Sequence, residues 1–170
     1  MTLRKLTALA LYTTLSLAVY AIESAIPPLV PLPGIKLGLA NIITLILLQH
    51  DTPRDAFLVL TARLLLSTLL FGQFLSLLYS LAGGVLSFAV MYIANRLLRK
   101  RLPFLTGALG GLSHNLGQLL AAFAITATTG VFAYLPYLAI SGILTGLFTG
   151  LCAHFAGRYL LVHLKNADSA

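Results

Sequence analysis

Apolar residues fill long stretches of this chain, and the few polar clusters between them set the bounds of six predicted helices. The first runs from about residue 6 to 26. Pro27, Pro28, Pro31 and Pro33 then stop it, because proline lacks the amide donor a helix interior needs and clashes with the preceding turn. Residues 27–38 therefore cannot form a regular helix, yet Leu29, Val30, Leu32, Ile35 and Leu37 keep them apolar. Irregular apolar backbone beside a membrane is tolerated where it packs on protein or lines a cavity, which predicts a lid or partly re-entrant segment. A second helix over 37–50 is short for a full crossing. Thr52 followed by Pro53 reads as an N-cap with proline at the first helical position, opening a third helix over 54–71. Gly72 and Gln73 give a brief break before a fourth, 74–98, which ends in a basic cluster. Pro103 opens a fifth over 104–128, with Gly130 as its terminator, and a sixth takes 135–164.

Composition turns this helical pattern into a membrane one. Of 170 residues, 59% are apolar and 9% charged, whereas a soluble domain carries about 25% charged residues. At about 20 residues per span there is room for roughly six or seven crossings and little else. The expected fold is an all-α polytopic membrane protein, a single integral membrane domain forming a six-helix transmembrane bundle. Arg4 and Lys5 before an apolar run imitate a signal peptide, but the run is long enough to span, so it is read as a retained first helix.

The net charge of +7 would suggest an anionic partner such as nucleic acid in a soluble protein. Its distribution says otherwise. Six crossings put Arg4, Lys5, Arg54, Arg96, Arg99, Lys100, Arg101, Arg158 and Lys165 on one side, nine of the eleven basic residues, and Lys36 alone on the other. By the positive-inside rule that side and both termini are cytoplasmic, in a bacterial inner membrane, and no nucleic acid is expected.

Ionisable residues in an apolar bundle cost a few kcal/mol each, so they are the candidates for chemistry. They are Glu23, Lys36, Arg63 and His114. Glu23 and Lys36 either pair with one another or flank an incoming solute. Arg63, halfway along the third helix, is too deep to reach water easily and needs an acceptor, either a neighbouring helix or a carboxylate or phosphate on a ligand. His114 and Gln118 share a helix face and Asn115 lies about 100° round; the three either line a cavity or bond between helices. Asn41, opening the second helix, caps it or faces the same cavity.

Ala10, Thr14 and Ala18 form a small-residue stripe, as do Gly142, Gly146 and Gly150. The glycine stripe reads as internal packing; the first could also dock a partner. Cys152 is alone, so neither a disulfide nor a Cys-based metal site is available. No P-loop, HExxH or nucleophile elbow is present. No catalytic residue, metal or cofactor is expected, and the chain is not read as an enzyme.

The run IPPLVPLPGIKLGLANIITLILL, the following TPRDAFLVLTARLLLSTLLFG and the later GGLSHNLGQLLAA resemble the membrane family described as heptaprenyl diphosphate synthase component I, or the Gx transporter family. Prenyl diphosphate synthases bind magnesium and diphosphate through clustered aspartates; this chain has four carboxylates in all, with no such cluster. The family is also similar to the substrate-binding S components of energy-coupling factor transporters. That likeness implies a lid after the first helix and a docking stripe at Ala10, Thr14 and Ala18. Its partners would be a transmembrane coupling subunit with separate ATPases. A small molecule, such as a vitamin precursor or an isoprenoid-related metabolite, would bind among Lys36, Asn41, Arg63, His114, Asn115 and Gln118. The alternatives are a non-catalytic membrane subunit of a prenyl diphosphate or quinone biosynthesis system, and a solitary secondary carrier.

Overall fold

A computed structural model describes residues 3–26, 35–50, 52–71 and 74–167, with side chains up to residue 156. It is helical: α1 (Leu3–Ser24), α2 (Asn41–Gln49), α3 (Pro53–Phe71), α4 (Phe74–Leu97), α5 (Pro103–Thr126), a 3-10 turn (Thr129–Tyr134) and α6 (Leu135–Ala167). Three stretches are long and apolar enough to cross a membrane, namely α1, α4 and Thr129–Ala156.

The polarity of α1 and α4 is inverted relative to helices of a soluble protein. The buried face of α1 is Thr13, Ser16, Tyr20 and Glu23, at three- and four-residue spacing, while Leu3, Leu11 and Ile22 are exposed. The inward faces of α4 likewise hold Ser76, Ser80, Ser87 and Asn95, and its outer face holds Phe74, Leu75 and Ile93. So large an exposed apolar surface needs lipid around it.

Interhelical contacts fix how the helices alternate. Lys5 Nζ pairs with Asp55 Oδ1 at 2.8 Å, joining the starts of α1 and α3. Asn95 near the end of α4 donates to Leu48 O at 2.8 Å and accepts from Gln49 Nε2 at 2.9 Å, which brings the end of α2 to the same level. The basic turn after α4 therefore shares one end of the bundle with the starts of α1 and α3.

α5 is the central helix and meets α6 through backbone. A Cβ placed on Gly111 would lie 2.0 Å from Gly142 O, and one on Gly146 would lie 2.3 Å from Gly107 O. No side chain fits between them, so the Gly142, Gly146 and Gly150 stripe is internal packing, as its spacing suggested. On its other flank α5 meets α4, where Gly117 faces Ala82 and Gly83.

α2 has nine residues, about 14 Å of helix against about 30 Å of hydrocarbon. It is buried from Ile43 to Leu48 and begins at Asn41 rather than at residue 37. The reason is local: residues 35–38 have no regular secondary structure and Gly38 has φ +82°. Of the predicted lid, residues 27–34 lie outside the described residues.

Two predicted boundary signals act differently. Thr52 turns its hydroxyl back to Leu47 O at 2.9 Å, closing α2 instead of capping α3, whose first turn receives only the Thr52 carbonyl. α5 ends at Thr126, not residue 128, because Ala127 takes the left-handed conformation (φ 52°) with its amide on Phe123 O; Gly130 sits inside the 3-10 turn.

Candidate functional site

The polar residues gather where α1, α3, α4 and α5 surround the broken start of α2. Glu23, 4% exposed, accepts from the Gly38 amide at 2.6 Å and the Ala40 amide at 3.4 Å. A helix start buried in a bundle has amides with no partner of their own, and a carboxylate is the strongest acceptor for them. Ser16 supports the same turn by donating to Ala40 O at 3.3 Å.

Gly38 is held by two requirements. Its positive φ suits glycine, and a Cβ there would lie 2.6 Å from His114 Cδ2. The irregular segment thus rests directly on the His114 ring. Two residues earlier the Lys36 amide donates to Gln118 Oε1 at 3.1 Å, and Gln118 Nε2 meets His114 Nε2 at 2.9 Å. His114 and Gln118 therefore do share a face, and that face carries residues 36–38. His114 Nδ1 makes no hydrogen bond of regular geometry; the backbone of Gly83 is beside it.

The Lys36 side chain turns outward to the Ser24 hydroxyl, with its ammonium 3.5 Å from the centre of the Tyr20 ring. Of the two roles open to Glu23 and Lys36, mutual pairing is not the one adopted: the carboxylate serves backbone amides, which the chain between the two residues brings to it, and the ammonium has a hydroxyl and a ring. Tyr20 OH in turn meets Ser76 Oγ at 3.3 Å.

Arg63 is 2% exposed, and no described group accepts from its Nε or Nη2. Glu23 and Tyr20 are near enough for their charge and dipole to act on it, but no ion pair within 4 Å forms. On the α4 side lies Gly84, where a Cβ would stand 3.9 Å from Nη2. Asn41, 5% exposed, opens α2; its Nδ2 donates to Ser87 Oγ at 3.3 Å, which donates to Gly110 O at 2.9 Å, and its Oδ1 has no partner.

Asn115 stands apart. Its Nδ2 donates to Leu138 O at 2.7 Å and to Ser141 Oγ at 3.2 Å, so it joins α5 to α6 rather than lining the face of His114. The 100° offset between neighbouring helix positions produces that separation. Tyr20, Ser87 and Gly38 were not singled out from the sequence; the inward polar spacing of α1 marks Tyr20, and a lone glycine in an apolar non-helical run marks Gly38.

Ala10, Thr14 and Ala18 all lie on the exposed side of α1. The Thr14 hydroxyl donates to Ala10 O at 2.9 Å. Ala10 and Thr14 line an apolar groove with Leu6 of α1 and Leu58, Ala62 and Leu66 of α3. Among the described residues no three His, Cys, Asp or Glu side chains converge as metal ligands.

No curated protein and no solved structure matches the chain. A family model described as heptaprenyl diphosphate synthase component I matches residues 12–156, which takes in α1 from residue 12 onward, α2 to α5 and the glycine stripe of α6. With the helical core, the broken α2 and the polar cluster all inside that match, the chain belongs to the heptaprenyl diphosphate synthase component I family.

Proposed function

We propose that this protein is the solute-capturing membrane subunit of an ATP-driven uptake system, of the type of the energy-coupling factor S components. The supporting observation is Arg63, a buried cation with two donors unmet inside an apolar bundle. Such a group costs several kcal/mol unless something polar meets it, and a solute is the partner that a capture subunit supplies. Lys36, Asn41, Arg63, His114 and Gln118 form the site, and Asn115 braces its α5 wall against α6. Residues 27–38 gate it, because their anchored end, 36–38, already lies on His114 and Gln118.

In this reading the chain crosses six times, α2 and the irregular segment before it making one crossing together. Both termini face the cytoplasm, as the basic end of the bundle requires. ATP is hydrolysed by separate subunits, and a transmembrane coupling subunit docks on the outward stripe of Ala10, Thr14 and Ala18. The solute is a small molecule, a vitamin precursor or an isoprenoid-related metabolite.

The family description favours a second reading, a non-catalytic membrane subunit of a prenyl diphosphate synthase. It needs a soluble partner to supply the aspartates this chain lacks. Purification of the tagged chain from its native membrane in mild detergent, with mass spectrometry of what accompanies it, separates the two. A membrane coupling subunit with ATPases, lost on Thr14→Leu, is the expected result. A prenyl synthase in their place overturns it in favour of the second reading.

A further inference from the structure

The unmet atoms of Arg63 are not scattered around the guanidinium. Nε and Nη2 lie on one side edge of that planar group, two parallel donors spaced to match the two oxygens of a carboxylate or the oxygens of a phosphate. Both are buried without an acceptor among the described residues. On the α4 side Gly84 stands next to Nη2, where a Cβ would lie 3.9 Å from that atom and 3.2 Å from Leu60 Cδ1.

Among the described residues no anion fills this edge. The chain contains four carboxylates: Glu23, Asp51, Asp55 and Asp168. Asp55 is paired with Lys5 at the far end of α3, and Asp51 and Asp168 lie outside the described residues. Glu23, the one carboxylate near Arg63, is already committed to the amides of Gly38 and Ala40. Arg63 and Lys36 against Glu23 leave one positive charge over in this part of the bundle.

We infer that the ligand of this site carries an oxyanion, a carboxylate or phosphate group, gripped side-on by Nε and Nη2 of Arg63. The inference rests on the capture reading and adds the chemical class of what is captured. A neutral or cationic solute would leave the edge unmet and the extra charge uncompensated, at the cost that burial imposes on both.

The test uses the full chain in nanodiscs of phosphatidylcholine alone, with thermal unfolding followed as sodium phosphate, sodium diphosphate or sodium acetate replaces sodium chloride at equal ionic strength. A saturable rise in Tm with at least one of the three is expected. Arg63→Lys keeps the charge but not the paired edge, and weakens that apparent affinity by about tenfold or more; Arg63→Gln abolishes it. No saturable rise with any of the three in the wild type, or a rise unchanged in both variants, overturns the inference, and the wild-type titration decides even if neither variant folds. Adding phosphatidylglycerol separates the sources. Arg63-dependent stabilisation by this lipid with none by free anions assigns the oxyanion to a lipid headgroup and sinks solute capture while keeping the oxyanion. Conversely, a neutral or cationic metabolite retained on purification and displaced by none of the anions sinks the oxyanion and leaves capture standing.

Discussion

Single residues at the start of α2 carry stakes that can be read from their partners. At Gly38 an alanine meets both a left-handed backbone and the His114 ring 2.6 Å away, so Gly38→Ala is expected to destabilise by about 1–3 kcal/mol, seen as a lowered Tm in detergent. Glu23→Ala removes the acceptor for two buried amides and is expected to cost about 1–3 kcal/mol for each amide left unmet; Glu23→Gln, which keeps one side-chain oxygen, is expected to cost less, in the same unfolding experiment. Sequence reasoning found Glu23, Lys36, Arg63, His114 and Gln118 because charge and amide groups stand out in an apolar chain. It could not divide their work. Whether Glu23 meets an ammonium or two backbone amides is decided by how residues 35–40 bend, and that conformation is set by contacts with α5 far along the chain.

At the scale of whole helices, two stripes of small residues with the same four-residue spacing face opposite ways. The glycines of α6 touch the backbone of α5, and Ala10, Thr14 and Ala18 of the α1 stripe look outward. Gly146→Leu is therefore expected to unfold or strongly destabilise the purified chain, since a Cβ alone already lies 2.3 Å from Gly107 O. Thr14→Leu is expected to leave its stability within about 0.5 kcal/mol of the wild type, because Thr14 is exposed. A circular dichroism melt of the two variants side by side checks the pair. Helix existence and most boundaries were legible in the sequence, because unbroken apolar runs between prolines and basic clusters leave few alternatives. The start of α2 and the end of α5 were not, since Gly38 bends the chain with a positive φ and Ala127 adopts a left-handed turn that alanine does not advertise.

For the molecule as a whole, the contacts that place the starts of α1 and α3 beside the basic turn after α4 make a topological prediction. In a Cys152→Ser background, Arg99→Cys is expected to react with a membrane-impermeant maleimide in inverted vesicles and not in intact cells, whereas the reverse pattern would turn the protein over in the membrane. The polar inner face of α1 bears on biogenesis as well. α1 is synthesised before α2, yet the amides that satisfy Glu23 lie up to 17 residues downstream and the hydroxyl that meets Tyr20 lies 56 downstream. Until α2 follows, α1 offers the lipid a carboxylate without those partners, a cost of a few kcal/mol that its leucines must offset. Nascent chains halted before residue 35 are thus expected to enter the bilayer less completely than those halted after α2 has left the ribosome and translocon. The broken helix acts as a companion that lets its predecessor settle.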